Sequence, residues 1–245
     1  MTWIKICGIT NLEDALTAVE AGADAVGFVF YEKSPRNIHP DAAREIVTKL
    51  PSEIGKVGVF VEGLNEHTVE IFNQVRLTAL QFHLPNDLVA AACGEIAYEA
   101  ECFWQFPEIY VSVPATWATS SFQLDIQMTD VSASNNDRAS ADASSKGRSP
   151  FRAFFLDSSI PERPGGTGTA FDWEKTATMI EGIRKQVNIV VAGGLNPANV
   201  KDAISILHPW GVDVSSGVEA APGKKDPAKV RAFVAAVRAT ESTLG

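Results

Sequence analysis

A chain of 245 residues with 45% hydrophobic and 21% charged side chains has the apolar content of an ordinary globular protein and the length of one barrel-sized α/β domain. Thirty acidic against 21 basic groups give a net charge of −9, with no run of Lys or Arg, which argues against nucleic acid as a partner. No basic leader with an apolar core opens the chain, no apolar stretch reaches the roughly 18 residues of a membrane span, and the three cysteines have no metal-ligand spacing, so a soluble, cytoplasmic protein without membrane contact, disulfides or bound metal is expected.

The first apolar run, residues 3–9, leads into a helical pattern. Thr10 and Glu13 read as a capping-box pair ahead of Leu12, Ala15, Leu16 and Val19, and Gly22 stands at the C-cap. Further runs follow at 25–30, 57–61 and 79–83. Two segments then read as strands, 102–106 and 109–113, set off by Pro107 and Pro114, and the second is the better strand five. Residues 130–150 mix Ser and Ala with Asn, Asp, Lys and Arg around one large apolar residue, Val131. Such a segment buries too little surface to offset its ordering entropy and reads as a flexible insertion near strands five and six, inside one domain spanning 1–245. Runs at 151–156, 189–192 and 211–214 complete the pattern. Helices are expected to begin at His39-Pro40, Asn196-Pro197 and Asp226-Pro227, with proline at the first helical position and Asn196 and Asp226 as N-caps. The runs are nearly continuous in Val, Ile, Phe and Ala, as parallel strands buried on both faces require. Strand and helix alternation of this regularity gives an α/β fold, either a closed (β/α)8 TIM barrel or an open doubly wound sheet.

In a barrel, chemistry sits where strands end and βα loops begin. Cys7 ends the first strand, Arg36 lies in the loop after the second, His83 ends the fourth and Asp157 ends the sixth. Each has a plainer reading: Cys7 as a small buried hydrophobe, Arg36 as an exposed loop cation, His83 as a core histidine, Asp157 as a loop cap. Three glycine-rich segments follow the last three strands: Gly165-Gly166-Thr167-Gly168, Ala192-Gly193-Gly194-Leu195 and Ser215-Ser216-Gly217-Val218-Glu219. One such loop is an ordinary turn. Three at the same end point to a phosphate held by backbone N–H groups and hydroxyls, through Gly166, Thr167, Gly168, Gly193, Gly194, Ser215, Ser216 and Gly217.

Lys5-Ile6-Cys7-Gly8-Ile9-Thr10, Gly22-Ala23-Asp24-Ala25-Val26-Gly27-Phe28, Ser34-Pro35-Arg36, Leu156-Asp157-Ser158, Phe171-Asp172-Trp173 and Asp213-Val214-Ser215-Ser216-Gly217-Val218-Glu219 together resemble the phosphoribosylanthranilate isomerase family of tryptophan biosynthesis. Two departures stand out: Leu84 replaces a glycine the family usually has after His83, and residues 101–152 follow the pattern poorly. The resemblance implies a TIM barrel and an Amadori rearrangement of N-(5-phosphoribosyl)anthranilate to 1-(2-carboxyphenylamino)-1-deoxyribulose 5-phosphate, without a cofactor. It also implies Asp157 as general acid, Cys7 as general base, and Arg36 holding the anthranilate portion, with His83 at the pocket wall. The acid protonates the furanose oxygen as the ring opens, and the base then removes the C2 proton. A free thiol titrating at about 8.5 gains as a base from a nearby cation.

Fold and phosphate loops do not define a reaction. A phosphosugar isomerase of histidine-biosynthesis type, an indole-glycerol-phosphate synthase and a non-catalytic phosphosugar-binding barrel are the alternatives. The pairing of Cys7 with Asp157 argues against the first two; binding without turnover would identify the third. Monomer and homodimer remain equally open.

Overall fold

The computed structural model describes residues 1–61, 63–83, 108–114, 151–158, 171–182, 184 and 187–244. Eight parallel strands hydrogen-bond in sequence order, and the last closes on the first. They are β1 (Trp3–Cys7), β2 (Ala25–Val29), β3 (Gly55–Phe60), β4 (Ala79–His83), β5 (Ile109–Pro114), β6 (Phe151–Asp157), β7 (Asn188–Val191) and β8 (Gly211–Val214). Closure decides what strand periodicity left open: the fold is a (β/α)8 barrel, with β5 at the second of its two candidate positions. The segment 102–106, Leu84 and the polar stretch 130–150 lie outside the described residues.

Helices α1 (Leu12–Ala21), α2 (Pro40–Val47) and α3 (Glu66–Val75) follow β1, β2 and β3; α4 (Trp173–Ile180), α5 (Val200–Leu207) and α6 (Pro227–Leu244) follow β6, β7 and β8. Two helix starts correct the sequence reading. Asn11, not Thr10, caps α1, its side chain accepting from Asp14 N at 2.9 Å. Thr10 instead donates its hydroxyl to Gly223 O at 2.5 Å, a partner 213 residues away that no local pattern reveals. At α5 the helix begins at Val200; Asn196 accepts from Ala198 N at 2.8 Å in a turn ahead of it, so Pro197 stiffens the approach rather than the first helical turn. His39, Asp226 and Gly22 behave as expected. His39 caps α2, Asp226 accepts from Ala228 N and Lys229 N, and Gly22 ends α1 at φ 94°.

The apolar residues divide into two clusters because successive strand residues face opposite sides of the sheet. Ile4, Ile6, Val26, Phe28, Leu80 and Val212 belong to the layer that packs under the helices, where each fully buried side chain contributes roughly 1.5–3 kcal/mol. Ala25, Val57, Ala79, Tyr110, Ala153 and Phe155 belong to a second cluster inside the barrel. Trp3 closes it, stacking on Trp210 at 5.2 Å and meeting Tyr110 at 5.6 Å. Among the described residues no helix is long and apolar enough to cross a membrane.

Between β8 and α6 a short turn (Ser216–Val218) leads into a two-stranded antiparallel hairpin, β9 (Glu219–Ala221) and β10 (Lys224–Lys225). Asp14 at the start of α1 fixes it, accepting from Lys225 N at 2.7 Å and Lys224 Nζ at 3.0 Å. The hairpin thereby sits over the β1 end of the barrel mouth.

Candidate active site

A cavity of about 590 Å³ opens at the C-terminal ends of the strands. Its walls bring together Cys7, Arg36, His83 and Asp157, four candidates spread over 150 residues of sequence. Of the expected phosphate residues, Gly193, Gly194, Ser215 and Ser216 line the same cavity. Gly217 does not line it: an added Cβ would lie 1.8 Å from Leu195 O, so its role is to let the β8 loop pass against the β7 loop. Gly166, Thr167 and Gly168 lie outside the described residues. Among the described residues the Ser215 hydroxyl oxygen is buried without a hydrogen-bond partner, a state that ordinarily costs about 1–3 kcal/mol and that an acceptor in the cavity would relieve.

Alternation along β1 sends Trp3, Lys5 and Cys7 to the barrel interior, from floor to mouth. Lys5 is fully buried. Parallel pairing sets it opposite Asp213 on β8, and its ammonium donates to Asp213 Oδ1 at 2.9 Å. Burial alone would depress the Lys5 pKa, but Asp213 and Cys7 together outweigh it and hold the ammonium above its ordinary range. The neighbouring Cys7 thiol shows the opposite balance. Burial raises its pKa, the Lys5 ammonium pulls it down, Asp213 adds to the rise, and the sum lies above the usual thiol value.

Asp157 ends β6, buried at the cavity wall. Its loop neighbour on β7 has to be glycine: Gly193 adopts φ 77°, and an added Cβ would come within 2.7 Å of Asp157 Oδ1 and 2.5 Å of Ser158 N. His83 stands across the cavity. Burial and the Lys5 charge push its pKa down to about 4, so the ring is neutral at neutral pH. Its Nε2 lies 3.3 Å from the Ser112 hydroxyl and 3.4 Å from the Gln81 amide nitrogen; with donors on that side, the ring proton belongs on Nδ1.

Arg36 leans over the mouth from the β2 loop. Its Nε and Nη2 both donate to Glu219 on the hairpin, each at 2.8 Å. Glu219 also accepts from the buried Lys225 at 3.0 Å, and Lys225 reaches Ser215 O at 3.2 Å. Burial works to raise the Glu219 pKa, yet the Arg36 and Lys225 contacts hold it below the carboxylate norm. A bidentate pair fixes the plane of a guanidinium, so Arg36 is a rigid donor whose Nη1 edge remains for a second anion. Among the described residues no group of three or more His, Cys, Asp or Glu is placed to hold a metal.

A family model described as N-(5'phosphoribosyl)anthranilate (PRA) isomerase matches residues 4–98 and 123–236. A relative from Pseudomonas fluorescens named N-(5'-phosphoribosyl)anthranilate isomerase is 43% identical over 236 residues, 96% of this chain and 97% of its own length. The chain belongs to the N-(5'-phosphoribosyl)anthranilate isomerase family. Among solved structures, the isomerase of Thermotoga maritima in a form described as monomers of a dimeric enzyme aligns with a TM-score of 0.71 at 34% identity, covering 98% of this chain and all of that one. A phosphoribosyl anthranilate isomerase in complex with reduced 1-(o-carboxyphenylamino)-1-deoxyribulose 5-phosphate aligns at 0.66, also at 34% identity and covering 98% of this chain and all of that one. The stretch that the isomerase model passes over, 99–122, begins at the poorly matching region foreseen from the sequence and contains β5; the polar stretch 130–150 lies inside the second matched span.

Lys5, Asp213 and Glu219 stand among the isomerase motifs, and Lys225 beyond them, but none carries a signal of its own in the sequence. Lys5 had one available clue, its position two residues before Cys7, which puts both side chains on one face of a strand. The Arg36–Glu219 pair spans 183 residues and had none.

Proposed function

We propose that Cys7 and Asp157 are the base and acid of the Amadori rearrangement, with Arg36 orienting the anthranilate carboxylate and the loops after β7 and β8 receiving the phosphate. The chain is an isomerase. It converts N-(5'-phosphoribosyl)anthranilate to 1-(2-carboxyphenylamino)-1-deoxyribulose 5-phosphate in tryptophan biosynthesis, and a phosphorylated small molecule is its ligand. The observation that carries the residue assignment is the convergence of Cys7 and Asp157 on one cavity, at the ends of β1 and β6.

In this reading Asp157 protonates the furanose oxygen as the bond from that oxygen to C1 breaks, leaving an iminium at C1. The positive nitrogen acidifies the C2 hydrogen. Cys7 as thiolate removes that proton, the C2–H electron pair forms the C1–C2 double bond as the C1=N π pair returns to nitrogen and quenches its charge, and the resulting enol tautomerises to the ketone. Arg36 supports this placement because its Glu219-locked guanidinium presents a fixed donor edge at the mouth, and fixing a reactant is worth a large part of a barrier. His83, neutral, forms the far wall next to Ser112 and Gln81. Ser215, with its unsatisfied hydroxyl, and Ser216, Gly193 and Gly194 supply donors without bulk for the phosphate. A free Cys7 thiol is in keeping with the reducing compartment the composition suggested. Association as a homodimer is one assembly open to this chain, the Thermotoga maritima relative being described as dimeric.

The test is the loss of anthranilate-type fluorescence when the protein meets freshly generated N-(5'-phosphoribosyl)anthranilate, corrected for spontaneous breakdown. Protein-dependent conversion that disappears in Cys7→Ser and Asp157→Asn supports the pair. Undiminished conversion in either folded variant removes that residue from the mechanism.

A further inference from the structure

Resting on the assignment of Cys7 as the base, we propose that Lys5 is the positioning residue for that base: its ammonium, anchored by Asp213, faces the Cys7 sulfur and stabilises the thiolate that takes the C2 proton. The geometry is specific. A Cβ placed on Gly27, the β2 residue paired with Cys7, would lie 2.8 Å from Cys7 Sγ and 3.0 and 3.1 Å from Lys5 Cε and Nζ. Sulfur and ammonium therefore converge on the space that the missing side chain of Gly27 leaves open. The ammonium acts on the thiol through its charge, favouring the thiolate against the burial that opposes it.

A lysine at this level is not needed to fill space. The interior around it is closed by Ala25, Val57, Ala79, Tyr110 and Phe155, and an apolar residue in place of Lys5 would pack on them at no cost in charge burial. A fully buried ammonium is expensive, and here it is held by one carboxylate at 2.9 Å and the Phe155 ring, 5.4 Å from its nitrogen. An ammonium has three N–H donors; Asp213 accepts one, and the sulfur lies on the Gly27 side of the same ammonium. Asp213 has the complementary task of keeping Lys5 charged so deep in the barrel, at the cost of a second negative charge near the thiolate.

The other charged or titratable groups around the thiol are differently engaged. Arg36 and Lys225 are bound to Glu219, His83 is neutral, and Asp157 stands on the opposite wall as the acid. When the C2–H bond breaks, the proton moves to sulfur and the electron pair moves into the substrate. The thiolate becomes a neutral thiol while Lys5 stays charged, so the ammonium favours the state before proton transfer and sets how much thiolate exists at a given pH.

The experiment is the titration of the Cys7 thiolate by its ultraviolet absorbance, taken as the difference from Cys7→Ser, alongside the pH dependence of kcat/KM. In Lys5→Met the thiolate titration and the rising limb of kcat/KM are expected to move together to higher pH. Activity at neutral pH falls about tenfold for every pH unit by which the titration midpoint rises, and recovers at alkaline pH. Lys5→Arg, which keeps the charge, returns the midpoint part of the way. A folded Lys5→Met protein with an unmoved thiolate titration overturns the proposal, because a purely structural loss lowers activity equally at every pH. Should the stranded Asp213 prevent that variant from folding, Lys5→Met/Asp213→Asn removes both charges. Its thiolate is expected to titrate above that of Asp213→Asn alone, and coincident curves again overturn the idea. Full turnover by Cys7→Ser would instead sink the base assignment while leaving the titration to report on the Lys5–Cys7 pair.

Discussion

The floor and the mouth of the barrel are built by the same eight strands and differ in almost every physical respect. At the floor, Trp3, Tyr110, Phe155 and Trp210 pack ring against ring, alanine and valine fill the remaining interior, and the Tyr110 hydroxyl finds Glu108 at 2.5 Å. From the middle layer upward the interior and mouth hold two buried ammoniums, three carboxylates, a depressed histidine and two buried oxygens without partners among the described residues, Gln81 Oε1 and Ser215 Oγ. Stability is concentrated where polar groups are few and satisfied; reactivity is kept where they are many and, without substrate, incompletely satisfied. The strand order β1 to β8 makes this division possible, because closure supplies a rigid floor on which costly groups can be held at fixed separation.

Two substitutions at opposite ends separate the two properties most sharply. Cys7→Ser and Asp157→Asn are each expected to lower turnover by roughly 10²–10⁴-fold, the usual worth of a general acid or base, with an unfolding midpoint close to the parent's. Tyr110→Ala at the floor is expected to do the reverse. Removing a ring that is 1% exposed and touches both Trp3 and Phe155 should cost about 3–5 kcal/mol in denaturant unfolding, while kcat/KM of the folded protein stays within a few-fold. If Tyr110→Ala loses turnover in proportion to stability, floor and mouth are not independent and the comparison fails.

The floor was also the more legible end. Continuous apolar runs located seven strands to within about two residues, because burial on both faces leaves a strong signal in composition, while two runs competed for the fifth, and the favoured one, 109–113, is β5. Of the mouth, the sequence revealed the residues that end strands, Cys7, His83 and Asp157, and the glycine loops, but not what holds them. Lys5 was hidden by the run that surrounds it: read as a block, residues 3–9 are a buried strand, and only alternation shows that Lys5 and Cys7 share a face. Thr10 and Asn196 were misplaced as caps because their local patterns suited that role while a distant carbonyl and an extra turn claimed them. Arg36 was read as a substrate ligand with no hint that Glu219 already held one of its edges, since pairings across 183 residues leave no local trace.

The crossing of the β7 and β8 loops offers a smaller, more localised test of the mouth. Gly217→Ala would set a methyl 1.8 Å from Leu195 O, and neither backbone can yield without moving Ser215 or Gly194. The expected result is a rise of roughly tenfold or more in KM, since displacement by about 1 Å can cost that much or more, with weaker inhibition by inorganic phosphate and a smaller change in kcat. Unchanged phosphate inhibition would place the phosphate elsewhere in the cavity.

The smallest effect concerns pH. His83 in the folded protein titrates at about 4, whereas in the unfolded chain it titrates near 6.5. Between those values the unfolded state takes up a proton that the folded state refuses, so stability present above about pH 6.5 is lost as pH falls toward 4, by up to about 1.4 kcal/mol per pH unit from this group alone. Replacing His83 by Gln, which does not titrate but retains donor and acceptor atoms for Ser112 and Gln81, should flatten the acid limb of unfolding free energy against pH and leave the limb above 6.5 unchanged. Carboxylates such as Glu219, whose pKa is held down by Arg36 and Lys225, lose their contribution only at lower pH and do not mimic this window. An acid limb in His83→Gln as steep as the parent's would mean that His83 is protonated in the folded barrel near its ordinary value; the ring would then carry positive charge close to Lys5 in the same window, and the neutral far wall assigned to it would have to be given up.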